Sequence, residues 1–181
     1  MSTPVFRIEA LTELPFGLPG RVFRGPMPYG DYDPEGRLLK RYREVNVGAV
    51  VVLAEEQEMR ELTGLDLMQL YRVAGMEVIW LPIPDFSLPS LDALRQAIGR
   101  AGDCISSGMN IVVHCRAGLG RTGLFLACLA QHIFRIDGST AIQWVRAYLP
   151  GALETPEQVL LAESYGGRHV DYECKSDHLG S

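Results

Sequence analysis

Short, almost uniformly apolar runs alternate along this chain with longer stretches in which apolar residues recur every three or four positions. The first pattern reads as buried strand and the second as amphipathic helix. The apolar runs are Val47 to Leu53, Met76 to Leu81 and Ile111-Val112-Val113. Helical spacing is carried between Pro34 and Asn46 by Leu38, Leu39, Tyr42 and Val45. It returns between Thr63 and Ala74 with Leu67, Leu70 and Val73 or Ala74 inward, and Gly75 suits that helix's C-terminus. A third helix is predicted over Leu91 to Ser106, with Ser90 placed to cap it and Leu91, Leu94, Ala97, Ile98, Ala101 and Ile105 on its apolar side. Leu124 to Ala130 is so densely apolar that it reads as a mostly buried helix, extending over 122–135 and ended by Asp137-Gly138. Ser139 then caps a helix bearing Ile142, Val145 and Leu149, and Pro150-Gly151 breaks it. Thr155-Pro156-Glu157-Gln158 opens a last helix. Thr155 suits its N-cap, Pro156 suits N1, and Gln158 at N3 completes a capping box.

Residues 1–30 are rich in proline and glycine, and their apolar pieces, Val5-Phe6 and Arg21 to Arg24, read as edge strands and turns. Arg24-Gly25-Pro26-Met27-Pro28 reads as a loop packed at the sheet edge. Strands alternating with helices predict an α/β fold, a central mostly parallel sheet flanked by helices. Residues 1–165 form one catalytic-sized domain in this reading, and 166–181 a polar C-terminal tail.

Composition narrows the function. With 181 residues, 47% hydrophobic and 22% charged, the chain has the makeup of one soluble globular domain. A net charge of −5 argues against a nucleic-acid partner or an acidic membrane surface. No apolar run approaches the ~20 residues of a membrane span. Met1 to Ala10 lacks the apolar segment of a secretory signal. Cys104, Cys115, Cys128 and Cys174 lack metal-ligand spacing, so neither metal nor other cofactor is expected. Cys104 and Cys128 fall in apolar helical patterns and read as core. Lys40, Arg41 and Arg43 read as a solvated helix face, and Ala54-Glu55-Glu56-Gln57-Glu58 as a solvated acidic loop, with a place near a pocket beyond the strand's carboxyl end as the second reading.

The candidate chemistry lies in His114-Cys115-Arg116-Ala117-Gly118-Leu119-Gly120-Arg121-Thr122-Gly123, a turn from an apolar strand into the buried helix. Gly118 and Gly120 let the backbone curl so that successive N–H groups face one concavity. The helix N-terminus adds its positive end there. Arg121 adds a planar, permanently charged fork matched to phosphate oxygens. The same field favours a thiolate at Cys115 and makes it a nucleophile. Thr122 places a hydroxyl where it can donate to that thiolate. A nucleophilic cysteine needs a reducing compartment, so a cytoplasmic location is expected.

This loop resembles the His-Cys-x5-Arg-Ser/Thr-Gly signature of the protein tyrosine phosphatase superfamily, and its Ala-Gly-x-Gly-Arg spelling resembles the dual-specificity branch. The resemblance implies the cysteine-based phosphatase fold, with the phosphate loop between a central strand and helix. It implies hydrolysis of phosphate monoesters on phosphoproteins through a cysteinyl-phosphate. Cys115 would be the nucleophile, and the loop residues Arg116, Ala117, Gly118, Leu119, Gly120 and Arg121 would hold the phosphate. His114 would hold the cysteine backbone from behind. Pro82-Ile83-Pro84-Asp85-Phe86-Ser87-Leu88-Pro89 resembles the general-acid loop of the same branch. Ser90 is the better helix cap, which leaves Asp85 to protonate the leaving-group oxygen and then to act as base on the hydrolytic water. For Gln158 two roles stand side by side, the helix cap and the positioning of a water as the resemblance implies. Two other readings of the site are a phosphoinositide or small-molecule phosphatase and a phosphate-binding pseudophosphatase that recruits partners. Only Arg116 among the loop's variable positions 116, 117 and 119 is basic, which disfavours the first. Intact Cys115, Arg121 and Asp85 disfavour the second.

Overall fold

The computed structural model describes residues 11–166. The expected strand at Val5-Phe6, Cys174, and the tail beyond Gly166 lie outside the described residues.

Five strands form one sheet: β1 (Thr12–Leu14), β2 (Val22–Gly25), β3 (Val47–Val52), β4 (Glu77–Trp80) and β5 (Asn110–His114). Their spatial order is β1-β2-β5-β3-β4, with β1 antiparallel to β2 and every other pairing parallel. The central strands β3 and β5 are short and largely apolar because both faces of a parallel sheet are covered there. Ala49, Val51, Ile111 and Val113 point into one core, shared with α4 (Leu91–Ser106), α5 (Gly120–Phe134), α6 (Gly138–Tyr148) and α7 (Pro156–Tyr165). Val50, Val52 and Val112 point into the other, under α1 (Arg37–Glu44), α2 (Glu56–Thr63) and α3 (Leu67–Val73).

Several expectations are met residue by residue. Helix α4 spans the predicted Leu91–Ser106, and the Ser90 hydroxyl accepts the Ala93 N–H at 3.3 Å. The capping box of α7 is formed with Thr155, Pro156 and Gln158 in the predicted positions. Helix α3 ends as Gly75 requires: Gly75 takes φ 80 and its N–H reaches the Arg72 carbonyl while Met76 N–H reaches that of Tyr71.

Other expectations are corrected. Strand β2 is not an edge strand: it lies between β1 and β5, and Phe23 and Arg24 pair in register with Val112 and Val113. The acidic stretch is not a loop. It opens helix α2, which Gly64 ends in the left-handed conformation, so the stretch from 63 to 74 is not one helix. Asp66 then caps α3 by accepting the Gln69 N–H. This restart turns the helix so that Leu67, Met68 and Tyr71 face the core and Val73 is left 74% exposed. The long helix begins at Gly120 and ends at Phe134. Asp137 rather than Ser139 caps α6, because its carboxylate accepts both the N–H and the hydroxyl of Thr140.

Candidate active site

In a parallel sheet, ligands sit beyond the carboxyl ends of the strands. All four parallel strands here deliver residues to one such point. Strand β5 leads into Cys115, β3 leads towards Glu58, β4 towards Asp85, and β2 into Gly25, Pro26 and Met27.

The loop from Cys115 to Gly120 is wrapped around the cysteine sulfur. Cys115 Sγ accepts the Gly118 N–H at 3.3 Å and the Thr122 hydroxyl at 3.2 Å. Gly118 takes φ 75, and a Cβ there would strike the Gly25 carbonyl. The loop's curl therefore needs glycine at 118 and depends on the segment after β2. Met27 N–H ties that segment to the Arg116 carbonyl at 2.9 Å. The expectation that 24–28 merely packs at the sheet edge is corrected accordingly. Helix α5 starts with no side-chain cap at Leu119, so its first N–H groups face the cup.

Arg121 is 2% exposed, and both terminal nitrogens of its guanidinium are engaged. Nη1 donates to Glu58 Oε2 at 2.7 Å and to the Ile83 carbonyl at 2.8 Å, and Nη2 donates to Glu58 Oε1 at 2.8 Å. Nη2 also lies 3.1 Å from Asp85 Oδ1. Burial opposes the guanidinium's charge, but the Glu58 hydrogen bonds and the fields of Cys115 and Asp85 outweigh it and raise its pKa above the ordinary value. The fork is thus held charged and in one plane before any ligand arrives.

Glu58 is the residue that sequence reasoning missed. It sits at the end of an exposed acidic run, and nothing local marks it as different from Glu55 or Glu56. Its place one turn into α2, with Met59 buried beside it, is the only signal, and that signal requires the helix boundary.

His114 lies behind the cup, wholly buried. Its Nδ1 is 3.1 Å from the Cys115 carbonyl oxygen, and its Nε2 is 2.9 Å from the Tyr71 hydroxyl. A carbonyl only accepts, so Nδ1 carries the proton and Nε2 accepts from Tyr71. Burial pushes the imidazole pKa down to about 4, and the ring is neutral. Tyr71, contributed by α3, was not anticipated either, because its helix face was misread.

Asp85 follows β4 in a loop where Ser87 N–H closes a turn onto the Pro84 carbonyl at 2.9 Å. Its side chain is 41% exposed, and among the described residues it pairs with Arg121 and accepts the Phe86 N–H at 3.1 Å. Arg116 turns its side chain out of the loop to Asp31, at 2.7 and 3.0 Å. Its guanidinium is thus committed to an ion pair with Asp31. Gln158 is 1% exposed, and its Oε1 accepts the N–H groups of Glu154 and Thr155 at 2.8 and 3.4 Å. Cys128 is buried and Cys104 half-buried in the core, as expected. Among the described residues, no three His, Cys, Asp or Glu side chains are placed to hold a metal ion. No helix among them is long and apolar enough to cross a membrane.

A thiol ringed by backbone and hydroxyl donors after a central parallel strand, with a buried arginine heading the next helix, defines the cysteine-based phosphatase class. Residues 28–133 match the family model described as "Tc-R-P: Polymorphic toxin system, DSP-PTPase phosphatase", and the chain belongs to that family. It is 32% identical to human dual specificity protein phosphatase CDC14A, over 81% of this chain and 24% of that protein. It is 40% identical to CDC14AB of Danio rerio, over 80% of this chain and 23% of that protein. The chain thus spans about a quarter of the length of these curated relatives. The crystal structure of Tk-PTP in the active form superposes with a TM-score of 0.71 at 30% identity, covering 82% of this chain and 93% of that one.

Proposed function

We propose that this chain hydrolyses phosphate monoesters on phosphoproteins through a cysteinyl-phosphate, acting on phosphotyrosine and on phosphoserine or phosphothreonine. The observation that carries this reading is the pair of hydrogen bonds on Cys115 Sγ beside a pre-oriented, buried Arg121. Family membership and the dual specificity named for the CDC14 relatives support it.

In the first step Cys115 attacks phosphorus: the S–P bond forms and the ester P–O bond breaks. Arg121 and the loop N–H groups hold the three equatorial oxygens, whose charge is greatest in transit. Asp85 gives its proton to the departing oxygen. In the second step water attacks phosphorus, the P–S bond breaks and the thiolate re-forms under the Thr122 hydroxyl and Gly118 N–H. His114 fixes the Cys115 carbonyl and so the direction of the sulfur. Gln158, with Oε1 committed to the helix cap, has its amide N–H groups to offer a water. The cysteine chemistry is that of a reducing compartment such as the cytoplasm.

The test is turnover of 4-nitrophenyl phosphate by the purified chain. Activity that vanadate inhibits and EDTA does not is the expected result. No turnover, or turnover lost on chelation, overturns the reading. A panel of phosphopeptides and phosphoinositides ranked by kcat/KM then assigns the substrate class.

A further inference from the structure

Asp85 is not the only carboxylate beside the cup. Glu154 lies in the short connection between α6 and α7, far in sequence from the signature loop. A Cβ built on Gly120 would collide with Glu154 Oε2. It would also stand 3.1 Å from Glu154 Cδ and 3.2 Å from Gln158 Oε1. Gly120 is the first residue of α5 and the neighbour of Arg121. The carboxylate therefore rests on the phosphate loop itself. Its backbone is pinned there, because Gln158 Oε1 accepts the Glu154 N–H at 2.8 Å.

Among the described residues, nothing occupies this carboxylate. Among the described residues it takes part in no ion pair and no side-chain hydrogen bond, and the residue is exposed. A helix N-terminus attracts an anion, which accounts for the side chain lying where it does. But the same N-terminus is where a phosphate dianion has to sit, so a fixed negative charge there would compete with the substrate. A carboxylate that takes up and returns a proton during the reaction removes that conflict. Asp85, by contrast, has Oδ1 on the Arg121 guanidinium at 3.1 Å. The two carboxylates reach the cup from different loops, one paired with the arginine and one free.

We propose that Glu154 is a catalytic residue, the base of the dephosphorylation step; this rests on the phosphatase reading above. Water attacks the phosphorus of the cysteinyl-phosphate and an O–P bond forms. The P–S bond breaks, and its electron pair returns to Cys115 Sγ. The proton leaving the water goes to the Glu154 carboxylate and passes to solvent as phosphate departs. Asp85, read from the sequence as the base of this step as well, keeps the first step alone, donating to the leaving-group oxygen.

Steady-state and rapid-quench kinetics on a series of aryl phosphates separate the two carboxylates. In Glu154→Gln, kcat falls ~10- to 100-fold to one value shared by all leaving groups, while kcat/KM stays within about twofold of wild type. A burst of phenol stoichiometric with enzyme precedes the slow phase. Asp85→Asn loses kcat/KM instead, most for poor leaving groups. Wild-type kcat in Glu154→Gln overturns the proposal, as does a parallel fall of kcat and kcat/KM. A melting curve matching wild type guards against a folding defect, and Glu154→Asp recovering part of kcat replaces it if Gln destabilises the chain. If the wild type turns over and only these outcomes fail, the Glu154 assignment falls alone. If the wild type does not turn over, both readings fall.

Discussion

The phosphate loop and the acid loop face each other across Arg121 and are built on opposite principles. In the first, Cys115, His114, Arg121 and Thr122 are all buried and each is held by hydrogen bonds to residues on other elements. In the second, Asp85 is half in solvent and its neighbour Phe86 is 67% exposed at φ 56. The Cys115 loop is over-determined: the segment after β2, α2 and α3 each contribute a contact that fixes it. Beyond the buried Ile83, whose carbonyl accepts from Arg121, the Asp85 loop is held by the Pro84–Ser87 turn, the Phe86 N–H on Asp85 and one ion pair. The difference teaches that substitutions in the first loop disturb fold and chemistry together, whereas those in the second disturb chemistry alone.

The sharpest break of this comparison is Cys115→Ser. Turnover should disappear while vanadate or phosphate binding, measured calorimetrically, survives, because the N–H cup and Arg121 remain. Lost binding would mean the cup depends on the sulfur. Next in size is Asp85→Asn, which should lower kcat/KM ~10²-fold for poor leaving groups and much less for good ones. Its melting temperature should stay close to wild type, since the side chain is exposed. A large loss of stability would erase the contrast between the loops.

A third prediction concerns the buried side through pH. His114 is neutral when folded, with its pKa lowered from 6.5 to about 4 by burial. Below pH 6.5 the unfolded chain takes up a proton that the folded chain refuses, so stability falls as pH drops from about 6.5 towards about 4. The full loss is about 3 kcal/mol, at 1.36 kcal/mol per unit. His114→Asn, whose amide can still donate to the Cys115 carbonyl, should flatten the denaturation midpoint over that window. An unchanged slope would place the pH dependence elsewhere.

The smallest expected effect is at Gln158. If its work is the cap, Gln158→Ala costs ~0.5–2 kcal/mol with modest change in rate. If it also holds the attacking water, a phosphoenzyme burst accompanies the loss. A variant with neither a lowered melting temperature nor a burst would remove both roles.

What could be read from the sequence alone was what lies within a few residues of itself. The signature loop, its strand and its helix are contiguous, so glycine, cysteine and arginine spacing sufficed to find the cup. Helix α4 and the capping box of α7 are also local, being periodicity plus a cap, and both were placed to the residue. Thr122 on the cysteine sulfur follows from one turn of helix. Tertiary structure decided the rest. Glu58 differs from its acidic neighbours only because α2 aims it at a guanidinium 63 residues away. Tyr71 meets His114 only because Gly64 breaks the helix and resets which face is inward. Strand β2 became central because strand order is set by which edges pair across the whole chain, and a strand of four residues, Val22–Gly25, cannot announce its partner. Local chemistry is written in spacing, whereas the partners that hold a buried charge are chosen by packing.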